Sequence, residues 1–397
     1  MSHTDRTPQP PPPGGAPALS GPHPPVPPPV PTFGQEEEFF VVDPDSRLAS
    51  PRAGDVLDAV RVRFADRPDS GARLGAEMTR FQVEASGPVC RTAGEMERGL
   101  ARSRAELADA AADRGLAVAA TGTAVLGDVA AAPLTRGRRY RAIADEFGAL
   151  RDSHAVCGCH VHVGAPGTAA ALEAVRRLRP WLPALLALTA NSPFQRGRDT
   201  GHASWRRVSW GWLPSAGPPP PMDSAAQYGR AVQELTASGA ALDRRMVYWD
   251  VRPAPDLPTV EVRVGDVAAT AEEALLAAVL VRGLAGVPAP EPGPADRPLR
   301  LALWRAARDG LEGEAFDPVA GESAPARALV ERMFAHAEPA LAAAGEAASA
   351  AALLGRVVAA GSGARRQRAA YARRGRLSDV VDLLIRQTRY GLAAAEE

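Results

Sequence analysis

Four short stretches of the 397-residue chain carry polar groups two residues apart: Glu36 and Glu38, Gln82 and Glu84, His160 and His162, and Glu261 and Arg263. Side chains of a strand alternate between its faces, so each pair shares one face while its apolar neighbours share the other. Two carboxylates spaced this way lie roughly 7 Å apart by the strand rise. Among apolar neighbours such a pair is costly unless cations sit near it. Carboxylates with histidine suit Mg²⁺ or Mn²⁺, hard cations that take oxygen ligands and bind jointly with substrate phosphates. In any single stretch a solvated sheet edge explains the alternation equally well. Four stretches with one habit point to a sheet whose one face rests on helices and whose other face is a polar floor.

Further groups are harder to place. Glu77 lies seven residues from Glu84, an odd offset, so on one regular strand the two would face apart; Glu77 reaches the floor only from a loop or past a bulge. Cys157-Gly-Cys-His-Val-His162 packs four zinc-capable side chains into six residues. Alternation puts both cysteines opposite both histidines, so a regular strand cannot bring all four to one ion, and small buried cysteines are the simpler reading. The glycine-punctuated loop 191–206 holds Arg196, Arg198 and Arg206. Guanidinium groups on such a loop suit a bidentate clamp on carboxylate or phosphate, although surface arginines would look the same. For the arginine-rich run 365–376 a solvated helix face is the simpler reading.

All 46 basic residues are arginine, and they balance 46 Asp and Glu. Without lysine there is no Walker-type phosphate loop, no Schiff-base enzyme and no kinase of the usual sort, since each needs an ε-ammonium at a fixed place. Balanced charge argues against nucleic acid as a partner. Three cysteines make no disulfide framework and fit a reducing compartment. A signal-peptide pattern and an unbroken run of about 18 apolar residues are both missing, so a soluble cytoplasmic protein with no membrane partner is expected.

The elements that must position these groups are readable in outline. Thirteen of the 38 prolines fall between Pro8 and Pro31, so residues 1–32 are expected to form a disordered or polyproline-II tail. One folded domain is expected over 33–390. Strands are expected at 33–43, 78–84, 116–121, 157–163 and 259–264. Helices are expected at 92–114, 139–149 and 168–190, and again from 268 onward, interrupted by the proline-rich segment 287–298. A long loop system fills 191–221. Strands scattered among helices, with no regular alternation and no glycine fingerprint, favour an α+β fold with an antiparallel sheet over a doubly wound one.

Gly34-Gln-Glu-Glu-Glu-Phe-Phe-Val-Val-Asp43, Gln82-Val-Glu84 with Pro88-Val-Cys90, and Cys157-Gly-Cys-His-Val-His-Val-Gly164 stand first in a series of motifs. Asn191-Ser-Pro-Phe194 with Gly197-Arg-Asp-Thr-Gly201, and Thr259-Val-Glu-Val-Arg-Val-Gly-Asp266, complete it. In this order they resemble the carboxylate–amine ligase family labelled type 2 glutamate–cysteine ligase, over about residues 33–388. The resemblance implies a glutamine-synthetase-like catalytic domain, a curved antiparallel β-sheet with helices on its convex side. It implies ATP with Mg²⁺ or Mn²⁺ as cofactors and small-molecule substrates, an amino-acid carboxylate and an amine. The implied reaction is ATP-dependent amide formation through an acyl phosphate, with a weak glutamate–cysteine ligase activity. A ligase for a different amine, another phosphotransferase on the same scaffold and a non-catalytic nucleotide-binding relative stay open, as does a homo-oligomer.

By the same resemblance Glu36, Glu38, Glu84 and Glu261 are metal ligands, with Glu77, His160 and His162 as further candidates. Arg263 would neutralise the transferring phosphoryl group. Arg198, Arg206 and Gln82 would bind substrate or phosphate. Three motifs depart from the family pattern: Gly122-Thr-Ala-Val125 stands where relatives read Gly-Thr-His-Pro, and Gln195 and His202 stand where aromatics are usual. These departures bear on the identity of the substrate more than on the class of reaction.

Overall fold

In a computed structural model that describes residues 30–64, 73–129 and 132–392, the motif strands pair with one another. Nearly all of the expected proline-rich tail, residues 1–29, lies outside the described residues. The N-terminal half runs β1 (Phe33–Val42), α1 (Ala53–Arg63), β2 (Arg73–Ala76), β3 (Gln82–Ser86), α2 (Ala93–Ala112) and β4 (Ala117–Ala119). It continues with α3 (Arg138–Phe147), β5 (Cys159–Gly164), α4 (Gly167–Leu178), α5 (Leu182–Thr189), the hairpin β6 (Phe194–Gln195) and β7 (Arg198–Asp199), α6 (Trp205–Trp210) and α7 (Ala225–Ala237). The remainder is β8 (Val251–Pro253), β9 (Thr259–Val262), α8 (Ala271–Ala285), α9 (Asp296–Asp309), the hairpin β10 (Glu314–Asp317) and β11 (Glu322–Pro325), and helices α10 (Ala326–Ala343), α11 (Ala347–Ala360), α12 (Gly363–Arg374) and α13 (Leu377–Tyr390).

The main sheet has the order β2-β3-β1-β5-β9-β8, with β4 also pairing β1. Every pairing is antiparallel, and directly opposite residues share a face. Glu38 stands opposite Glu84, Glu36 opposite His160, His162 opposite Glu261, and Glu261 opposite Arg252. Register alone therefore carries one polar row from β3 to β8. The alternate residues Val161, Val163, Val260 and Val262 are buried with the leucines of α5 and α8 and with α10 in the larger core cluster. Burying that valine face is what fixes the polar face outward, because a one-residue slip would invert every side chain.

The helices that back the sheet have clear local causes. At the start of α2, Thr92 accepts a hydrogen bond from the Glu95 N–H, and the chain turns away at Gly115 with φ +65°. A reciprocal capping box between Thr270 and Glu273 opens α8. The expected continuous helix over 168–190 is instead two helices: Pro180 and Pro183 withhold backbone donors, and a 3₁₀ turn at Arg179–Trp181 separates α4 from α5.

The strand expected at 78–84 is a hairpin. β2 and β3 pair with Arg73 opposite Ser86 and Gly75 opposite Glu84, and residues 77–81 make the turn. The apolar Met78 and Phe81 are buried in that turn, and they gave it the look of a strand. Several elements lie where no strand or no helix was expected: the helices α1, α6 and α7, the short strands β2 and β8, and the hairpins β6–β7 and β10–β11.

Candidate active site

A cleft of about 360 Å³ opens on the polar face of the sheet. Glu36, Glu38, Glu77, Gln82, Glu84, His160, His162, Arg206, Glu261 and Arg263 all line it. The hairpin resolves the odd offset of Glu77. Gly75 faces Glu84 across the hairpin, so Glu77, two residues further and just past the end of β2, comes to Glu84's face from the start of the turn.

At the centre, Glu36, His160 and Glu261 each bring a ligand atom to within 4.8 Å of the others. His160 Nδ1 lies 3.4 Å from Glu36 Oε2, and its Nε2 lies 3.9 Å from Glu38 Oε1. His162 Nδ1 meets the Thr259 hydroxyl at 2.9 Å, and its Nε2 lies 3.7 Å from Glu36 Oε1. Both Nε2 atoms are buried without a hydrogen-bond partner among the described residues. Burial alone would raise the Glu36 carboxyl, but hydrogen bonds and charge from His160 and His162 outweigh it and hold the group well below its ordinary value.

Glu77 goes the other way. Burial, then a hydrogen bond with Glu84, then the Glu38 and Glu84 charges push it well above the usual carboxylate range. Crowded carboxylates together with unpartnered imidazole nitrogens form an oxygen-rich donor set with spare ligand capacity. That set fits a hard divalent cation.

Guanidinium groups close the other side. The Glu261 carboxylate is 3% exposed and sits between two of them. Arg252 Nε donates to Oε2 at 2.8 Å, and Arg263 Nη1 donates to Oε1. Burial would raise Glu261, yet the Arg263 and Arg252 charges dominate and carry it well below the ordinary value. Arg263 also lies 5.9 Å from the Tyr248 ring centroid. Arg206 is buried beside it and donates through Nη2 to the Arg263 carbonyl at 3.3 Å.

Sequence reasoning missed Arg252, Arg139, Tyr140, Arg245 and Tyr248, all of which line the cleft. Arg252 had a faint signal, a charged residue between Val251 and Pro253, but three residues show no period. Arg198 is not brought into the cleft: it stands exposed on β7 opposite Gln195, outside the lining residues, on a hairpin whose turn passes through Arg196 at φ +49° and Gly197 at φ +79°. Neither cysteine of the motif joins the histidines. The Cys159 Sγ accepts from Gln35 on the helix side, and the Cys157 Sγ lies 3.7 Å from the Gln82 amide. Burial, followed by the Glu37 charge, pushes the Cys159 thiol up to about 12.

Comparison with known proteins places this arrangement. The model of glutamate–cysteine ligase family 2 matches residues 32–383. A Saccharopolyspora erythraea protein named "Putative glutamate--cysteine ligase 2-1" is 43% identical over 362 residues, covering 90% of this chain and 94% of that protein. A Frankia alni protein named "Putative glutamate--cysteine ligase 2-2" is 44% identical over 377 residues, covering 90% and 97%. Among solved structures, the glutamate–cysteine ligase from Francisella tularensis in complex with AMP superposes with a TM-score of 0.62 at 12% identity, covering 92% of this chain and 91% of that one. The bifunctional glutathione synthetase from Pasteurella multocida gives the same TM-score, and this chain spans 53% of its length. At that identity the structures speak for the fold alone, the glutamine-synthetase-like sheet and helices expected from the motifs. On the match along almost the whole described chain and on its relatives, the protein belongs to glutamate–cysteine ligase family 2.

Proposed function

We propose that residues 33–390 form one catalytic domain that joins an amino-acid carboxylate to an amine at the expense of ATP, with a weak glutamate–cysteine ligase activity. The observation that carries this reading is the single cleft in which carboxylates and imidazoles from β1, β3 and β5 face the guanidinium groups of Arg206, Arg252 and Arg263. Phosphoryl transfer needs charge neutralisation and alignment more than covalent help, and this floor supplies both without a lysine. Mg²⁺ or Mn²⁺ held by Glu36, Glu38, Glu84 and Glu261, with Glu77, His160 and His162 in reach, would screen the phosphate charge when bound.

Arg263, fixed by Glu261 and the Tyr248 ring, stands where a γ-phosphate would meet the floor, and Arg206 holds a substrate oxygen; the buried Gln82 amide, which donates to the Val156 carbonyl at 2.7 Å and accepts from the Thr79 hydroxyl, braces the floor instead. A carboxylate oxygen of the acid, the γ-carboxylate in the case of glutamate, attacks the γ-phosphorus and ADP departs. The amine nitrogen then attacks the acyl carbon, the C–O bond to phosphate breaks, and the products are an amide and inorganic phosphate, the amine proton passing to solvent. Excluding water from the cleft protects the acyl phosphate. Three free, buried thiols suit the reducing cytoplasm in which such a ligase would work.

The test is purified protein with ATP, Mg²⁺, glutamate and a panel of amines, following ADP and amide together. Equal amounts of both support the ligase. ADP without amide favours a phosphotransferase, and nucleotide binding without either product makes the chain a non-catalytic relative.

A further inference from the structure

Glycine at position 158 is not demanded by its backbone, which lies outside the left-handed region that favours glycine. Space demands it. A Cβ built on Gly158 would fall 2.8 Å from the Arg206 Cζ and 3.0 Å from its Nε. The guanidinium group lies against the Gly158 main chain, with its Cζ 5.9 Å from the Trp210 ring centroid. The Gly158 N–H donates to Glu38 Oε2 at 2.6 Å, so one peptide unit carries both a floor carboxylate and the guanidinium's seat.

The base of Arg206 is fixed too. Its N–H donates to the Ser192 hydroxyl at 3.0 Å, and that hydroxyl donates to Asp266 at 2.7 Å. At the far end, Nη2 reaches the Arg263 carbonyl, while the buried Nε has no partner among the described residues. Arg206 forms no ion pair within 4 Å among the described residues, an expensive state for a buried guanidinium unless an anion completes it.

We propose that Gly158 is a positioning residue: by lacking a side chain it makes the slot that aims the Arg206 guanidinium at a substrate oxyanion, phosphate or carboxylate, in the cleft. This rests on the ligase reading for the identity of the anion, and on geometry alone for the slot. A methyl at 158 meets only the far end of a flexible side chain, so Gly158→Ala folds and displaces the guanidinium group.

The test is a double-mutant cycle with Arg206→Met together with a crystal structure of Gly158→Ala. In the otherwise native chain, Gly158→Ala should lower kcat/KM for ligation at least about tenfold with Tm held within about 2 °C, and in the Arg206→Met background it should cost less than about twofold. A rise in the KM for ATP identifies phosphate as the oxyanion, and a rise in the KM for the acid identifies carboxylate. Equal losses in both backgrounds would overturn the proposal. In the crystal, a guanidinium group moved by more than about 1 Å with the sheet unchanged supports it, and an unmoved one overturns it. The crystal arm decides the matter even if the native protein makes no amide, an outcome that would sink the ligase reading alone.

Discussion

Glu37 and Glu38 are neighbours in sequence and face opposite sides of β1, and the two faces treat a carboxylate in opposite ways. On the helix side, Glu37 accepts from Arg104 through both oxygens, at 2.6 and 3.0 Å. The guanidinium's other donors reach the carbonyls of Ala268 and Ala269. Every partner is supplied by the chain, so this pair ties α2 and the approach to α8 to the sheet. On the cleft side, Glu36, Glu38, Glu77 and Glu84 crowd together, their closeness and burial push the Glu77 carboxyl well above its ordinary range, and two imidazole nitrogens and the Nε atoms of Arg206 and Arg263 find no partner among the described residues. A buried charge whose partners are all present is scaffold; one whose partners are missing marks where a ligand belongs.

Substitutions on the two faces should therefore separate activity from stability. The largest effect falls on the cleft face: Glu261→Gln should cut amide formation by about a thousandfold or more, since it removes the charge that links the floor to Arg252 and Arg263. Steady-state rates check this, and a rate within tenfold of the native one would break the comparison. On the helix face Arg104→Met should cost about 3–5 kcal/mol in urea unfolding, because it strands the buried Glu37 charge, while the folded fraction keeps its kcat/KM within about threefold.

Glu77 offers a finer test in pH. Its folded carboxyl titrates above the unfolded one, so its contribution to stability is full below the unfolded value and is lost as pH rises through the folded value. Without added cation, Glu77→Gln should gain on the native protein as pH rises above the unfolded carboxyl's value, by up to about 1.4 kcal/mol per pH unit until the folded group ionises, measured as the difference between their unfolding free energies. A difference that stays flat with pH would show that Glu77 is ionised. The smallest effect belongs to Arg198→Ala, expected to change kcat/KM by less than about twofold because the residue stands outside the cleft. A tenfold loss would return that hairpin to the site.

Much of the site was legible because strand alternation is a two-residue code. Glu36, Glu38, Glu84, His160, His162, Glu261 and Arg263 each sit in or beside a strand long enough to show it, and all seven line one cleft. Glu77 was half legible: the parity argument was sound, but the turn that brings it round carries Met78 and Phe81, whose burial imitates a strand. Arg252 was illegible, since a three-residue strand has no period and its place follows from pairing with β9. The direction of the Arg198 loop was equally hidden, because glycine and arginine in a loop record its freedom to turn and not where it turns. The zero net charge of the chain conceals this local order, with acidic and guanidinium groups meeting across one floor.

The most direct test follows an oxygen atom. With glutamate labelled by ¹⁸O in its γ-carboxylate, ligation through an acyl phosphate must leave one labelled oxygen in each inorganic phosphate released, read by mass spectrometry or by the isotope shift in ³¹P NMR. The arrangement of carboxylates and guanidinium groups described above predicts that transfer, in step with amide formed. Amide accompanied by unlabelled phosphate would contradict it.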